Sequence, residues 1–362
     1  MPDAPIESVS AKVFTIPTDA PEADGTFAWN ATTLVLVEMR AGGKTGIGYT
    51  YTDAAAAGLV NGTLAEAVAG LDAFAIPLAH ETMLRRIRNI GRPGLVATAI
   101  SAVDASLWDL KGKLLGLPVV SLLGMARESV PIYGSGGFTS YSIAKLQDQL
   151  ADWASQGMRW VKMKVGTDPD ADLERIKAAR NAIGHAELFV DANGAYSRKQ
   201  ALAFAEKFAA AGVTYFEEPV SSDDLDGLRL IRDRAPAGMQ IAAGEYGYGP
   251  FYFRRMLEAG ATDVQQADAT RCLGLTGFLE ADVLCAAFSR PLSAHCAPAL
   301  HLHAALSARS FWNQEWFHDH VRIEHMLFDG APVPKDGAIR ADLSRPGFGL
   351  EFKHQDARNY AI

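Results

Sequence analysis

Apolar and polar positions follow two different rhythms along this chain. In the first third, Ile6–Ile16 and Thr32–Met39 are β-rich, and the second run passes through Ala41-Gly42-Gly43-Lys44 into Thr45–Tyr51. Two such runs around a glycine pair predict a hairpin. Helical spacing follows over about Leu64–Ile90 and again over Ala97–Leu115, the latter closed by Gly116 with Pro118 just beyond. From residue 130 short β-like runs alternate with helical ones. Strands are predicted to end near Ser135, Lys164, Asp191, Glu217, Gly244, Ala267, Ala294 and Glu315. Helices are predicted between them, among others over Asp170–Ile183, Arg198–Ala211, Asp223–Arg234 and Leu275–Phe288. Repeated strand–helix alternation means a parallel sheet, and eight strands suggest a closed barrel. The alternation alone fits an open doubly wound sheet as well; the residues at the strand ends favour the barrel.

Those ends carry Lys162 and Lys164, Asp191, Glu217, Glu245, Asp268, His295 and Glu315 in turn, about one ionisable group per strand–helix unit and each after an apolar run. In a barrel all strand ends face one mouth. Any one of these groups alone reads as a helix cap or a loop charge. Seven in register do not, because charges are rarely buried unless paired or bound to metal. Asp191, Glu217 and Glu245 come from adjacent strands and form an all-oxygen ligand set suited to Mg²⁺. A zinc site would need His and Cys at ligand spacing, and His295-Cys296 and His301-x-His303 fit that poorly. Lys162 and Lys164 share strand parity and both face inward. Two ammonium groups beside a divalent cation should depress the amine pKa, which makes Lys164 a general base with Lys162 as its charge partner. His295 beside Asp268 offers a second proton carrier, with the carboxylate fixing the imidazole tautomer.

Composition narrows the class. The net charge of −8 and the absence of a Lys/Arg block argue against nucleic acid or an anionic membrane as partner. The stretch Ala54–Val60 is too short to span a bilayer. Met1–Glu7 has no basic start and no apolar run, so no secretory signal is expected. Three cysteines, Cys272, Cys285 and Cys296, without a C-x-x-C pair point to reduced thiols and a cytoplasmic location. Gly134-Ser135-Gly136-Gly137 is not a dinucleotide fingerprint, and Gly43-Lys44-Thr45 lacks the upstream glycine of a P-loop, since position 38 is Glu38.

Lys162-Met163-Lys164-Val165-Gly166, Asp191-Ala192-Asn193, Glu217-Glu218-Pro219, Gly244-Glu245 and the Asp268/His295 pair together closely resemble the mandelate-racemase branch of the enolase superfamily. The resemblance covers nearly the whole chain. It implies an α/β fold, a modified TIM barrel (β/α)₇β at 129–325. An α+β capping domain would occupy 1–128, and a tail at 326–362, including Leu343–Glu351, would pack back on the cap. It implies Mg²⁺ on Asp191, Glu217 and Glu245, Lys164 as one acid/base and His295–Asp268 as the other. It further implies a homo-oligomer, with Glu315 hydrogen-bonding the carboxylate of a small-molecule substrate and Asn193 at a substrate hydroxyl. Arg271 is a further substrate-binding candidate, where some members carry lysine. Glu315 would have to be protonated to donate, so its pKa should be raised. His318 and His320 are expected as loop residues, with reach into the pocket as the alternative, and Asp19, Asp24, Asn30 and Arg92 are solvated cap groups that could read substrate hydroxyls. The expected chemistry is removal of the proton α to a carboxylate through an enediolate. Dehydration of a sugar acid to a 2-keto-3-deoxy acid comes first. Racemisation or epimerisation of a 2-hydroxy acid is second, cycloisomerisation third, and a non-catalytic acid-binding barrel is the rival class.

Overall fold

A computed structural model describes residues 3–362; Met1 and Pro2, where the segment read as lacking a signal begins, lie outside it. Strands β1 (Ser8–Ala23), β2 (Ala28–Ala41) and β3 (Lys44–Tyr51) form an antiparallel sheet. Leu34 and Leu36 face the barrel together with Phe14 and Ile16, while Val35, Val37 and Met39 face the cap helices. Burial on both faces explains why β2 reads as an unbroken apolar run rather than an alternating one. β1 extends seven residues past the expected Ile16. Its register with β2 shifts between Pro17 and Glu22, where proline cannot donate to the ladder, and pairing resumes beyond that bulge.

The helix expected over Leu64–Ile90 is two pieces. A helical segment from Ala55 to Val68 contains a π-turn at Val60–Leu64, and a separate helix runs over Ile76–Arg86. Gly70, in the left-handed region at φ 74°, and Pro77 in the first turn of the second helix separate them. Leu95–Leu115 is one helix ended by Gly116 in the left-handed conformation. It packs directly on β3, where a Cβ built on Gly48 would lie 2.1 Å from Ala102 O and 2.5 Å from Ser106 N. Gly48→Ala should therefore cost about 1–3 kcal/mol through overpacking, read as a lower urea midpoint. An unchanged midpoint would mean that the helix can shift to make room.

The second part of the chain is the barrel. Strands β4 (Val130–Gly136), β5 (Trp160–Lys164), β6 (Glu187–Asp191), β7 (Val213–Glu217), β8 (Gln240–Ala243), β9 (Val264–Ala267), β10 (Leu292–Ala294) and β11 (Phe311–Phe317) pair in order, all parallel, and β11 closes onto β4. A helix follows each of the first seven strands. Several start with side-chain caps, such as the capping box of Ser197 and Gln200. Tyr133, Trp160, Phe189 and Tyr215 fill the barrel interior below the mouth. Two residues further along β4 to β7, at the same parity, come Ser135, Lys162, Asp191 and Glu217. One face of each strand thus passes from an aromatic layer to a charged one.

The tail returns to the cap. Phe348 N donates to Asp109 Oδ1 at 2.7 Å, Ile47 N donates to Asp109 Oδ2 at 2.8 Å, and Phe352 packs on Phe14. The far end of β1 and the turn to β2 lie across the barrel mouth. Thr139 N donates to Ala23 O at 2.8 Å, Ser140 Oγ to Pro21 O at 2.7 Å and Thr167 Oγ1 to Asp24 O at 2.6 Å. Gly25 sits so close that a Cβ there would lie 2.4 Å from Ala192 O. Among the described residues no helix is long and apolar enough to cross a membrane.

Candidate active site

Strand register builds the site. Lys164 pairs laterally with Asp191, and Asp191 with Glu217, so three adjacent strands end in lysine, aspartate and glutamate side by side. Glu245 follows β8, and oxygens of Asp191, Glu217 and Glu245 lie within 4.8 Å of one another. All three are buried. Glu217 Oε2 accepts from Lys162 Nζ at 2.7 Å, while its Oε1 is buried with no hydrogen-bond partner. Burial, and next the charge of Asp191, push the Glu217 carboxyl up to about 8, against the pull of Lys162. Three packed, buried carboxylates, with Glu217 Oε1 and Glu245 Oε2 lacking hydrogen-bond partners, are a donor set that fits a hard divalent cation. His295 Nε2, Cys296 Sγ and an oxygen of Glu315 also lie within 4.8 Å of one another. His301 and His303 are structural. His301 Nε2 accepts from Ala269 N at 2.7 Å, which makes Nδ1 the donor to Ala297 O, and His303 bridges Val120 N and Phe348 O.

Lys162 is fully buried above the Tyr133 ring, 2.7 Å from Glu217 and 2.8 Å from Glu315. Lys164 Nζ bonds Asp191 Oδ2. The depressed amine expected beside a divalent cation belongs to the ion-bound site; the side chains by themselves act the other way. Burial opposes the charge on both lysines, but Glu217 and Glu315 around Lys162, and Asp191 beside Lys164, outweigh it and hold both above the ordinary lysine range.

Across the mouth, His295 Nδ1 lies 2.9 Å from Asp268 Oδ2, and its Nε2 is 3.2 Å from Glu245 Oε2. Burial works against the imidazolium, yet Cys296 and then Glu245, Glu315 and Asp268 raise its pKa well above the usual histidine range. Asp268 is held low despite its burial, first by the hydrogen bond from His295. Glu315 is corrected. Burial alone would protonate it, but Lys162 and His295 hold it well below the usual carboxylate range. It accepts from Ser135 Oγ at 2.6 Å and Cys296 N at 2.9 Å, and Lys162 Nζ lies 2.8 Å away, contacts that favour the carboxylate form.

Arg271 is paired with two site carboxylates. Its Nη1 is 3.3 Å from Glu245 Oε1 and its Nε 3.5 Å from Asp268 Oδ2. It thus ties the carboxylate triad to the His295 pair. Asn193 sits in the left-handed region at φ 46°, donates from N to Asp191 Oδ1, and keeps a buried Oδ1 without a partner. The two later histidines are helical, not in a loop: His318 opens the helix His318–Leu327. His318 pairs with Asp19 at 2.9 Å, and His320 is buried, stacked on Tyr51 at 3.6 Å between ring centroids. Asp24 Oδ1 accepts from Thr26 N and Phe27 N and so shapes the cap turn. Asn30 and Arg92 are exposed.

Sequence reasoning missed Ser135, Cys296 and Glu218. Ser135 had a legible signal, since it ends the first barrel strand where the other strands carry charge. Glu218 is buried behind Glu217, pushed far up by burial and by Glu245, with Oε1 unpartnered.

Comparison with known proteins agrees with this geometry. Residues 9–124 match the mandelate racemase / muconate lactonizing enzyme N-terminal domain, and residues 145–357 match the enolase C-terminal domain-like family. A 3,6-anhydro-alpha-L-galactonate cycloisomerase of Streptomyces coelicolor is 32% identical over 99% of both chains. The L-talarate/galactarate dehydratase of Salmonella typhimurium is 30% identical over 90% of this chain and 82% of its own. Its structure liganded with Mg and L-lyxarohydroxamate aligns at a TM-score of 0.90 with 27% identity, covering 100% of this chain and 94% of that one. A mandelate racemase/muconate lactonizing enzyme-like protein from Rubrobacter xylanophilus is 51% identical, with a TM-score of 0.97 over 99% of both chains. The chain belongs to the mandelate racemase / muconate lactonizing enzyme family of the enolase superfamily.

Proposed function

We propose that this chain is an Mg²⁺-dependent enzyme that removes the proton α to the carboxylate of a sugar acid and expels the β-hydroxyl, giving a 2-keto-3-deoxy acid. The observation that carries this reading is the placement of two proton carriers at opposite ends of one carboxylate triad. Lys164 is bonded to Asp191, and His295 lies 3.2 Å from Glu245. The dehydratase relative and its Mg-liganded structure support both the reaction class and the cofactor. Asp191, Glu217 and Glu245 would hold the ion. When bound, a divalent cation there supplies positive charge to the substrate carboxylate and weakens the hold of Lys164 on its proton.

The chain's own groups then divide the work. Lys164, as amine, takes the α-proton. Lys162, fixed between Glu217 and Glu315, donates toward the negative charge that develops on the carboxylate. Glu315 stays anionic and positions Lys162 rather than donating to substrate. The His295 imidazolium, oriented by Asp268, gives its Nε2 proton to the departing hydroxyl, which leaves as water, and the enol tautomerises to the 2-keto acid. Asn193 Oδ1, buried and unpartnered, is available to a substrate hydroxyl. Cycloisomerisation is the second reading, favoured by the relative matched over 99% of both chains.

The test is incubation with Mg²⁺ and a panel of sugar acids, lactones and 2-hydroxy acids in D₂O, followed by proton NMR. A new methylene beside a keto group establishes dehydration. Ring opening or closure without loss of water favours cycloisomerisation, and α-proton exchange without a new product favours racemisation or epimerisation. His295→Asn should keep exchange driven by Lys164 while slowing elimination by about 10²–10⁴-fold. Elimination at the wild-type rate would remove His295 from the mechanism.

A further inference from the structure

The far end of β1 and the start of the last barrel helix meet at a third cluster of metal-ligating side chains, beside the triad and the His295, Cys296 and Glu315 group. Asp19 and Glu22 are three residues apart on β1, and in a straight strand they would face opposite sides of the sheet. The register shift between Pro17 and Glu22 removes that constraint and lets both approach His318, the first residue of the helix after β11. One ligand atom from each of Asp19, Glu22 and His318 lies within 4.8 Å of the other two.

Glu22 makes this more than a surface cluster. It is 1% exposed. Its Oε2 accepts from Trp29 Nε1 at 2.8 Å, but its Oε1 is buried with no partner. Asp319 does not relieve it, being a third acid whose oxygens already accept from Thr32 Oγ1 and Arg322. Burial, and then Asp319, push the Glu22 carboxyl up to about 8. His318 Nε2 lies 2.9 Å from Asp19 Oδ2, and Arg322, the other cation near Glu22, is bonded to Asp319.

We propose that Asp19, Glu22 and His318 form a second divalent-cation site, which ties the cap strand to the barrel at the end of the strand carrying Glu315. One imidazole nitrogen and two carboxylates make a mixed donor set that suits Zn²⁺ or a similar first-row ion better than Mg²⁺, with an open position for water. The site does not rest on the proton-transfer chemistry proposed for the triad, and it stands or falls separately.

The experiment is Zn²⁺ titration of the full-length Glu217→Gln protein by calorimetry, with Mg²⁺ absent and metal content checked by mass spectrometry. One equivalent should bind. Adding His318→Asn, a half-exposed change that leaves the buried core alone, should weaken it by more than the roughly 10–100-fold that losing an outer-shell partner costs. Adding Glu22→Gln should do the same. Tryptophan emission should shift on Zn²⁺ addition and stop shifting in Trp29→Phe, because the indole is bonded to a ligand carboxylate. Failure to bind any Zn²⁺ in Glu217→Gln overturns the proposal. So does binding that survives both His318→Asn and Glu22→Gln, which would move the ion to His295, Cys296 and Glu315.

Discussion

Lys164→Ala should slow exchange of the substrate α-proton by about 10²–10⁴-fold, the usual contribution of a positioned general base. Mg²⁺ affinity should be unchanged or tighter, because the variant removes a positive charge that now occupies Asp191. That pairing of outcomes is specific. A base is required only if a proton is moved, so a barrel that merely binds acids would tolerate the change. Truncation leaves a gap where the amine was but keeps the triad, Lys162 and Glu315 in place, since none of their hydrogen bonds to one another pass through Lys164. The rate is read from loss of the α-proton signal in D₂O with the acid identified by the substrate panel, and Mg²⁺ affinity from calorimetry on the same sample. Wild-type exchange in Lys164→Ala would assign the proton abstraction to His295 instead. Loss of exchange together with loss of Mg²⁺ binding would show that Lys164 acts through the metal site rather than as base.

The strand ends were legible because each physical requirement left a local mark. A buried charge needs a partner, so an ionisable residue directly after an apolar run stands out, and register carried those marks to one mouth: Lys164 beside Asp191, Asp191 beside Glu217. The barrel strand ends were found within a few residues for the same reason. What was not legible depended on groups distant in sequence. The protonation of Glu315 was misjudged because acidity was counted along strand ends, whereas Lys162 and His295 decide it in space. Arg271 reads as a substrate-binding candidate, and its pairing with Glu245 and Asp268 is visible only in the fold. The extension of β1 over the mouth was hidden by Pro17, which looks like a strand terminator until a bulge allows pairing to resume. The break at Gly70 was hidden by helical spacing that happens to continue in phase across it.

Glu217→Gln should abolish the Mg²⁺-dependent reaction and weaken Mg²⁺ binding by well over the roughly 10–100-fold attributed to an outer-shell partner. The amide keeps the shape of the side chain, and its oxygen can still accept from Lys162, so the change isolates the charge. The wild-type site places five carboxylates (Asp191, Glu217, Glu245, Asp268 and Glu315) around four cationic groups (Lys162, Lys164, Arg271 and His295). Glu217→Gln removes one of the three ligand carboxylates and leaves only Asp191 and Glu245 to hold the ion against the charges of Lys162, Lys164, Arg271 and His295. The protein itself should lose little stability, because Glu217 is already pushed toward neutrality by burial and Asp191. Thermal unfolding with and without Mg²⁺ separates the two effects. A ligand at 100 times its dissociation constant stabilises the folded state by about 2.7 kcal/mol, so the wild type should melt higher in Mg²⁺ while Glu217→Gln should not respond. Chelator should inactivate the wild type reversibly. An equal Mg²⁺-induced shift in both proteins would mean that the ion is not held by Asp191, Glu217 and Glu245. The proton-transfer assignments built around the triad would then lose their electrophile.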